Sequence, residues 1–214
     1  MKKGFTLAEV LITLGVIGIV AAMTLPVITL KTTKQETLAK LKKVYSILAQ
    51  GIKHSELDNG EFSTWPKDED IIVEDYYNKY WKPYYKKPKK CITAKACGYS
   101  RNNPWKHLNG SYYDWNVVSS ESRVLFMLSD GTLIFYPLNS VNYFFVDLNG
   151  LKNPNIIGRD VFVFTILDDK GLKPACYNMS YENINKNCIT DSNAGCCAAK
   201  IIADGWNFKD DYPW

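Results

Sequence analysis

The sequence is poor in the residues that catalysis most often uses. Its two histidines, His54 and His107, belong to no metal-ligand pair and lie near no recognisable nucleophile motif. No phosphate-cradling glycine loop occurs, and the carboxylates are scattered along the chain. These absences remove the usual supports for a hydrolase, a phosphoryl-transfer enzyme or a metalloenzyme, so no catalytic residue is expected. A large excess of one charge is also missing. The formal net charge of +4 over 214 residues is too mild to call for a nucleic-acid partner. Cysteine is absent before Cys91, and from Phe5 to Leu30 the one ionisable side chain is Glu9.

That last shortage defines the organising stretch. As helix, Phe5–Leu30 reaches ~39 Å at ~1.5 Å per residue, against ~30 Å for the hydrocarbon core of a bilayer. A secretory signal has a shorter apolar run followed by a small-residue cleavage site. Here the run starts at once, carries Glu9 near its beginning, and passes into Lys31, Lys34 and Leu38 in a pattern that continues as helix. The segment therefore reads as retained in membrane lipid. A carboxylate inside hydrocarbon is costly enough to demand a purpose or a partner.

The residues Lys2-Lys3-Gly4-Phe5-Thr6-Leu7-Ala8-Glu9 resemble the class III leader of type IV prepilins and type II secretion pseudopilins: a short basic peptide, a glycine, an aromatic, and a glutamate five residues after the cut. The resemblance implies cleavage by a prepilin peptidase between Gly4 and Phe5 and N-methylation of Phe5. It implies that Glu9 faces the free amino terminus of a neighbouring subunit, and that Pro26 matches the family's helix-kinking proline. Assembly would then run through an inner-membrane platform into a pilus or pseudopilus of like subunits. The lysines pull in both directions: Lys2 and Lys3 favour a cytoplasmic start, whereas Lys31, Lys34, Lys40, Lys42 and Lys43 on the other side argue against it. The leader takes precedence, placing the head in the periplasm of a bacterial inner-membrane protein. The alternatives are a minor pilin binding DNA for uptake and an anchored periplasmic enzyme or sensor.

Beyond Pro26, apolar residues recur at Leu38, Leu41, Tyr45, Leu48 and Ile52, with Lys34, Lys40, Lys43, Gln50 and Lys53 opposite, which marks one helical face. The expected organisation is a leader over 1–4, a transmembrane helix over 5–30, its amphipathic continuation over 31–57 and a globular head over 58–214. Asp58-Asn59-Gly60 supplies the stop. Residues 61–116 read as a long irregular insertion. Its run Trp81-Lys-Pro-Tyr-Tyr-Lys-Lys-Pro-Lys-Lys90 interleaves rings and cations as single-strand binders do, though a solvated loop with its aromatics packed down fits the same pattern.

Val124–Leu128 and Thr132–Tyr136 flank Ser129-Asp130-Gly131 as a hairpin. Strands over Tyr143–Val146 and Val161–Leu167 complete an antiparallel meander packed on the helix, an α+β fold of pilin-like architecture. Between the last two strands, Asp147-Leu-Asn-Gly…Pro154-Asn…Gly158-Arg-Asp160 resembles a loop of many bacterial prepilin-like heads. Asp147, Asn149 and Asn155 are turn formers. The oxygens of Asp147, Asn149 and Asp160 are also the kind that calcium takes, without the spacing of an EF-hand.

Six cysteines, Cys91, Cys97, Cys176, Cys188, Cys196 and Cys197, lie beyond the apolar segment, as disulfides in an oxidising compartment would. The competing zinc site lacks any Cys-x-x-Cys clamp. Cys91 and Cys97 are close enough to close a small loop, and Cys176 and Cys188 have the adjacent Cys196 and Cys197 as candidate partners. The tail from Pro174 to Trp214 is thus expected to be irregular and stapled, with a short helix over Ala194–Ile202.

Overall fold

The computed structural model describes residues 4, 6–66, 71–101, 104–113, 123–137, 143–167, 169–189 and 194–214. They form two compact units, Met1–Ala39 and Lys40–Trp214.

The first unit is the beginning of helix α1 (Leu7–Asn59). None of its window of mean hydropathy 2.4, long and apolar enough to cross a membrane, is buried. Four of the hydroxyls that interrupt it are satisfied internally: Thr13, Thr24, Thr29 and Thr33 donate to the carbonyls of Val10, Val20, Leu25 and Thr29 at 2.8–2.9 Å. Such back-bonding removes the main penalty of carrying threonine into lipid. Pro26 lies within the helix.

In the second unit α1 buries Leu41, Val44, Leu48, Gly51, Ile52 and Ser55. The amphipathic stretch from Lys40 onward thus packs within the second unit, where these side chains are core. The helix ends at Asn59, two residues beyond the expected limit, where Gly60 takes a positive φ of 84° that glycine adopts without steric cost.

Six antiparallel strands, β1 (Lys89–Lys90), β2 (Arg123–Met127), β3 (Leu133–Pro137), β4 (Tyr143–Asp147), β5 (Val161–Leu167) and β6 (Gly171–Pro174), follow in sequence order across one sheet. The meander is as expected, with a two-residue strand added at one edge and a four-residue strand at the other. Register puts Val124, Tyr136, Phe126, Ile134, Val146 and Phe162 in facing pairs. This face meets the helix layer, where Tyr45 lies 5.7 Å from Phe164 and Phe62 lies 6.1 Å from Tyr136. Alternate residues form the other face. There Trp105 stacks on Phe145 at 5.2 Å and meets Phe135 edge-on at 5.8 Å. Helix α5 (Cys197–Ala203) contacts β5. Both faces are covered, which is why β5 reads as a continuous apolar run instead of alternating.

The stretch expected to be irregular is partly ordered. It holds α2 (Val73–Tyr80), a 3₁₀ turn at Lys82–Tyr84, β1 and α3 (Ala94–Cys97). The helices are short and aromatic-rich, so their periodicity is weak; Tyr76, Tyr77, Tyr80 and Trp81 are nonetheless buried. The tail forms α4 (Tyr181–Ile189), a 3₁₀ turn at Ala194–Cys196 and α5. Disulfides join Cys91 to Cys97, Cys176 to Cys196 and Cys188 to Cys197. No cysteine is left for zinc.

Candidate functional site

The amino-terminal segment is the first candidate. Gly4 is exposed, and a Cβ built on it would meet nothing within 4 Å. Lys2, Lys3 and Phe5, the other leader positions, lie outside the described residues. Thr6 and Glu9 form a reciprocal N-terminal cap on α1. The Glu9 Oε2 accepts from the Thr6 backbone N–H and from its hydroxyl, each at 2.8 Å, and the Glu9 N–H donates to Thr6 Oγ1 at 3.3 Å. This is the capping box of a Thr-x-x-Glu sequence ahead of an apolar run. The sequence reading of Glu9 as a charge awaiting a partner missed this arrangement, although the spacing was visible.

In the single chain the Thr6–Glu9 pair therefore satisfies two backbone N–H donors, one by each side chain, and the carboxylate offsets the positive end of the helix. One carboxylate carries more than two lone-pair sites, so a neighbour's ammonium can join the cap without dismantling it. Around it the apolar side chains of α1 stand free of protein contacts. Lipid or other helices of the same kind are the environments that such a surface tolerates.

The second candidate is the loop after β4, where Asp147 and Asp160 come together. The buried Asp147 accepts from Tyr99 Oη at 2.8 Å and Trp105 Nε1 at 3.0 Å on one oxygen. On the other it accepts from the N–H groups of Asn149 and Gly150, at 3.3 and 2.9 Å. Asp160 accepts from the N–H groups of Asn155 and Ile156 and from Asn149 Nδ2, at 2.8, 2.6 and 3.0 Å. Burial, and then the Asp160 charge, pushes Asp147 up to about 8 against the hydrogen bonds from Tyr99, Trp105 and Asn149. Asp160 is raised by burial as well. Of the oxygens singled out for calcium, those of Asp147 and Asp160 thus receive protein donors in this fold, whereas Asn149 Oδ1 is buried without a hydrogen-bond partner among the described residues. Calcium binding there would require some of those donors to turn away. No group of three or more histidine, cysteine, aspartate or glutamate residues able to hold a metal occurs among the described residues.

The third candidate is the basic aromatic run. Trp81 and Tyr85 are buried, stacked on each other at 6.2 Å and packed on Phe126 at 5.7 and 5.6 Å. Lys82, Lys86 and Lys87 are exposed, and Lys90 pairs with Glu74. Trp81 and Tyr85 are committed to the core, so the interleaving does not build a base-stacking platform from them. His54 is exposed on α1, and His107 lies 5.0 Å from the Tyr113 ring.

Sequence comparison adds two findings. Residues 1–25 match the model of the prokaryotic N-terminal methylation motif, and residues 28–214 match that of a family of unknown function, DUF6613. No curated protein and no solved structure matches the chain.

Proposed function

We propose, from the premise that the chain belongs to the family of unknown function DUF6613 and opens with the type IV prepilin-like leader of a pilin-like subunit, that it is a structural subunit of a type II secretion pseudopilus or type IV pilus. The observation that carries this reading is the pairing of that leader with a helix whose apolar surface is unburied over its whole membrane-length window. Cleavage after Gly4 frees an amine at Phe5, and methylation leaves that amine cationic. In a stack of subunits the amine of one copy meets the capped Glu9 of the next, so two charges that are costly in lipid neutralise each other. The same step sets the axial register. The head stays on the periplasmic side, where its disulfides form, and the role is one of assembly without catalysis.

Intact-mass measurement on protein from native membranes tests the first step: loss of Met1–Gly4 with one added methyl is expected, and Met1 retained in assembled material overturns it. Glu9→Leu tests the second. Insertion should survive, since an apolar residue enters lipid more easily, while the yield of sheared filaments or secreted product falls at least tenfold. Assembly at the native level by Glu9→Leu refutes the charge-pairing role.

A further inference from the structure

One surface of the head has a surplus of positive charge around an apolar hollow. A cavity of about 240 Å³ opens between α1, the β2–β3 turn and the loop after β4, walled by Met127, Leu148 and Leu151 and bordered by Lys40 and Lys152. The bordering carboxylate, Asp130, is already engaged by Lys43 at 2.7 Å. Lys40 and Lys152 are exposed and make no ion pair among the described residues. Leu151 is 51% exposed. What fits here is an apolar side chain accompanied by carboxylates.

The far end of α1 offers that combination. Leu57 is 71% exposed, and Asp58 and Glu61 are exposed beside it. The last turn of α1 has no basic residue, although a helix C-terminus carries negative partial charge and favours cations. Placing Asp58 there opposes the helix dipole. Within the chain the Tyr84 hydroxyl donates to Asp58 at 3.1 Å; Lys53, one turn back, is paired with Glu56. A cation from outside would relieve this end as an anion would relieve the hollow.

From Lys40 to Leu57 the helix rises ~26 Å at ~1.5 Å per residue, so the two surfaces are well separated along one axis. A surface that cannot fold back on its complement can be matched by a second copy displaced along that axis. We infer that the heads dock head to tail: Leu57 of one copy enters the hollow of the next, with Asp58 and Glu61 meeting Lys40 and Lys152. Such a heterologous contact does not close on itself by two-fold symmetry and propagates as a helical array when the rotation leaves it open. This rests on the filament reading above and names the part of the head that takes part.

The test uses the full chain in membranes with its assembly machinery, carrying a photo-crosslinking benzoylphenylalanine at Leu57. Illumination should give a homodimer, with the link mapped by mass spectrometry to the Leu148–Lys152 segment. Asp58→Lys and Lys152→Glu should each lower the crosslink at least tenfold, and the two together should restore it to within about threefold, which a folding defect would not do. A link to another protein, a link mapped elsewhere, or insensitivity to both reversals overturns the inference. No link where Glu9-dependent filaments still form also overturns it, and leaves the filament reading standing. If Glu9-dependent filaments are missing as well, both fall.

Discussion

Gly51→Ala sets two effects of opposite sign against each other, and the structure decides between them. Gly51 lies in the interior of α1, where replacing glycine by alanine gains ~1 kcal/mol of helix propensity. But it is buried, and a Cβ added there would lie 2.5 Å from Cε1 and 2.6 Å from the hydroxyl oxygen of Tyr85. The Tyr85 ring must move by roughly 1 Å to reach ordinary van der Waals contact. It has little room, since Trp81 stacks on it at 6.2 Å and Phe126 sits 5.6 Å away. Overpacking of this kind costs ~1–3 kcal/mol. Moving the ring also breaks the 3.4 Å hydrogen bond from the Tyr85 hydroxyl to the Leu48 carbonyl, a further ~0.5–1.5 kcal/mol. Net destabilisation of ~1–3 kcal/mol should lower Tm by ~2–12 °C for a unit of this size. Thermal unfolding of the oxidised full chain in detergent, followed by near-ultraviolet circular dichroism, reads this out, because every tryptophan lies beyond residue 60. Tyr85→Leu should make Gly51→Ala better tolerated, with a coupling of at least ~1 kcal/mol in a double-mutant cycle. A rise in Tm for Gly51→Ala alone would mean that helix propensity wins and that this contact is not tight.

Two further outcomes follow from the head. Removing the Cys188–Cys197 bridge by a double alanine substitution should cost ~2–4 kcal/mol and open the 174–214 tail to protease, since Cys188 and Cys197 are fully buried; unchanged resistance in pulse proteolysis would show that the tail holds by packing alone. Stability should also depend on pH through Asp147. Its folded value, raised to about 8, lies above the unfolded ~4, so its contribution is fully present below ~4 and is lost as pH rises through about 8. Denaturant midpoints should fall between pH 5 and 8, and Asp147→Asn should flatten that slope. The same change should cost ~1–3 kcal/mol, because an amide N–H would then face a donor such as the Trp105 indole. A slope that persists in Asp147→Asn would assign the titration elsewhere.

Local chemistry was sufficient wherever the determinant lies in neighbouring residues. The leader, the membrane-length apolar run, the hairpin at Asp130-Gly131 and the oxidised cysteines depend on composition, spacing of a few residues, or turn dihedrals, all of which are written along the chain. The helical face at Leu41, Leu48 and Ile52 was legible for the same reason, since a period of 3.6 is local. Gly51 and Ser55 on that face were not, because what buries them is the aromatic segment around Tyr80–Tyr85, arriving from 25 to 34 residues away. The same holds for Asp147 and Asp160. Their residue types admit a turn or a cation site equally; the loop's own N–H groups fill one oxygen of Asp147, and only the arrival of Tyr99 and Trp105 from a distant loop supplies the donors to the other. The tertiary structure likewise chose which of the adjacent Cys196 and Cys197 joins Cys176, and it brought Lys40 beside Lys152. Contacts across such separations depend on loop closure and packing of the whole sheet, and no local pattern encodes them.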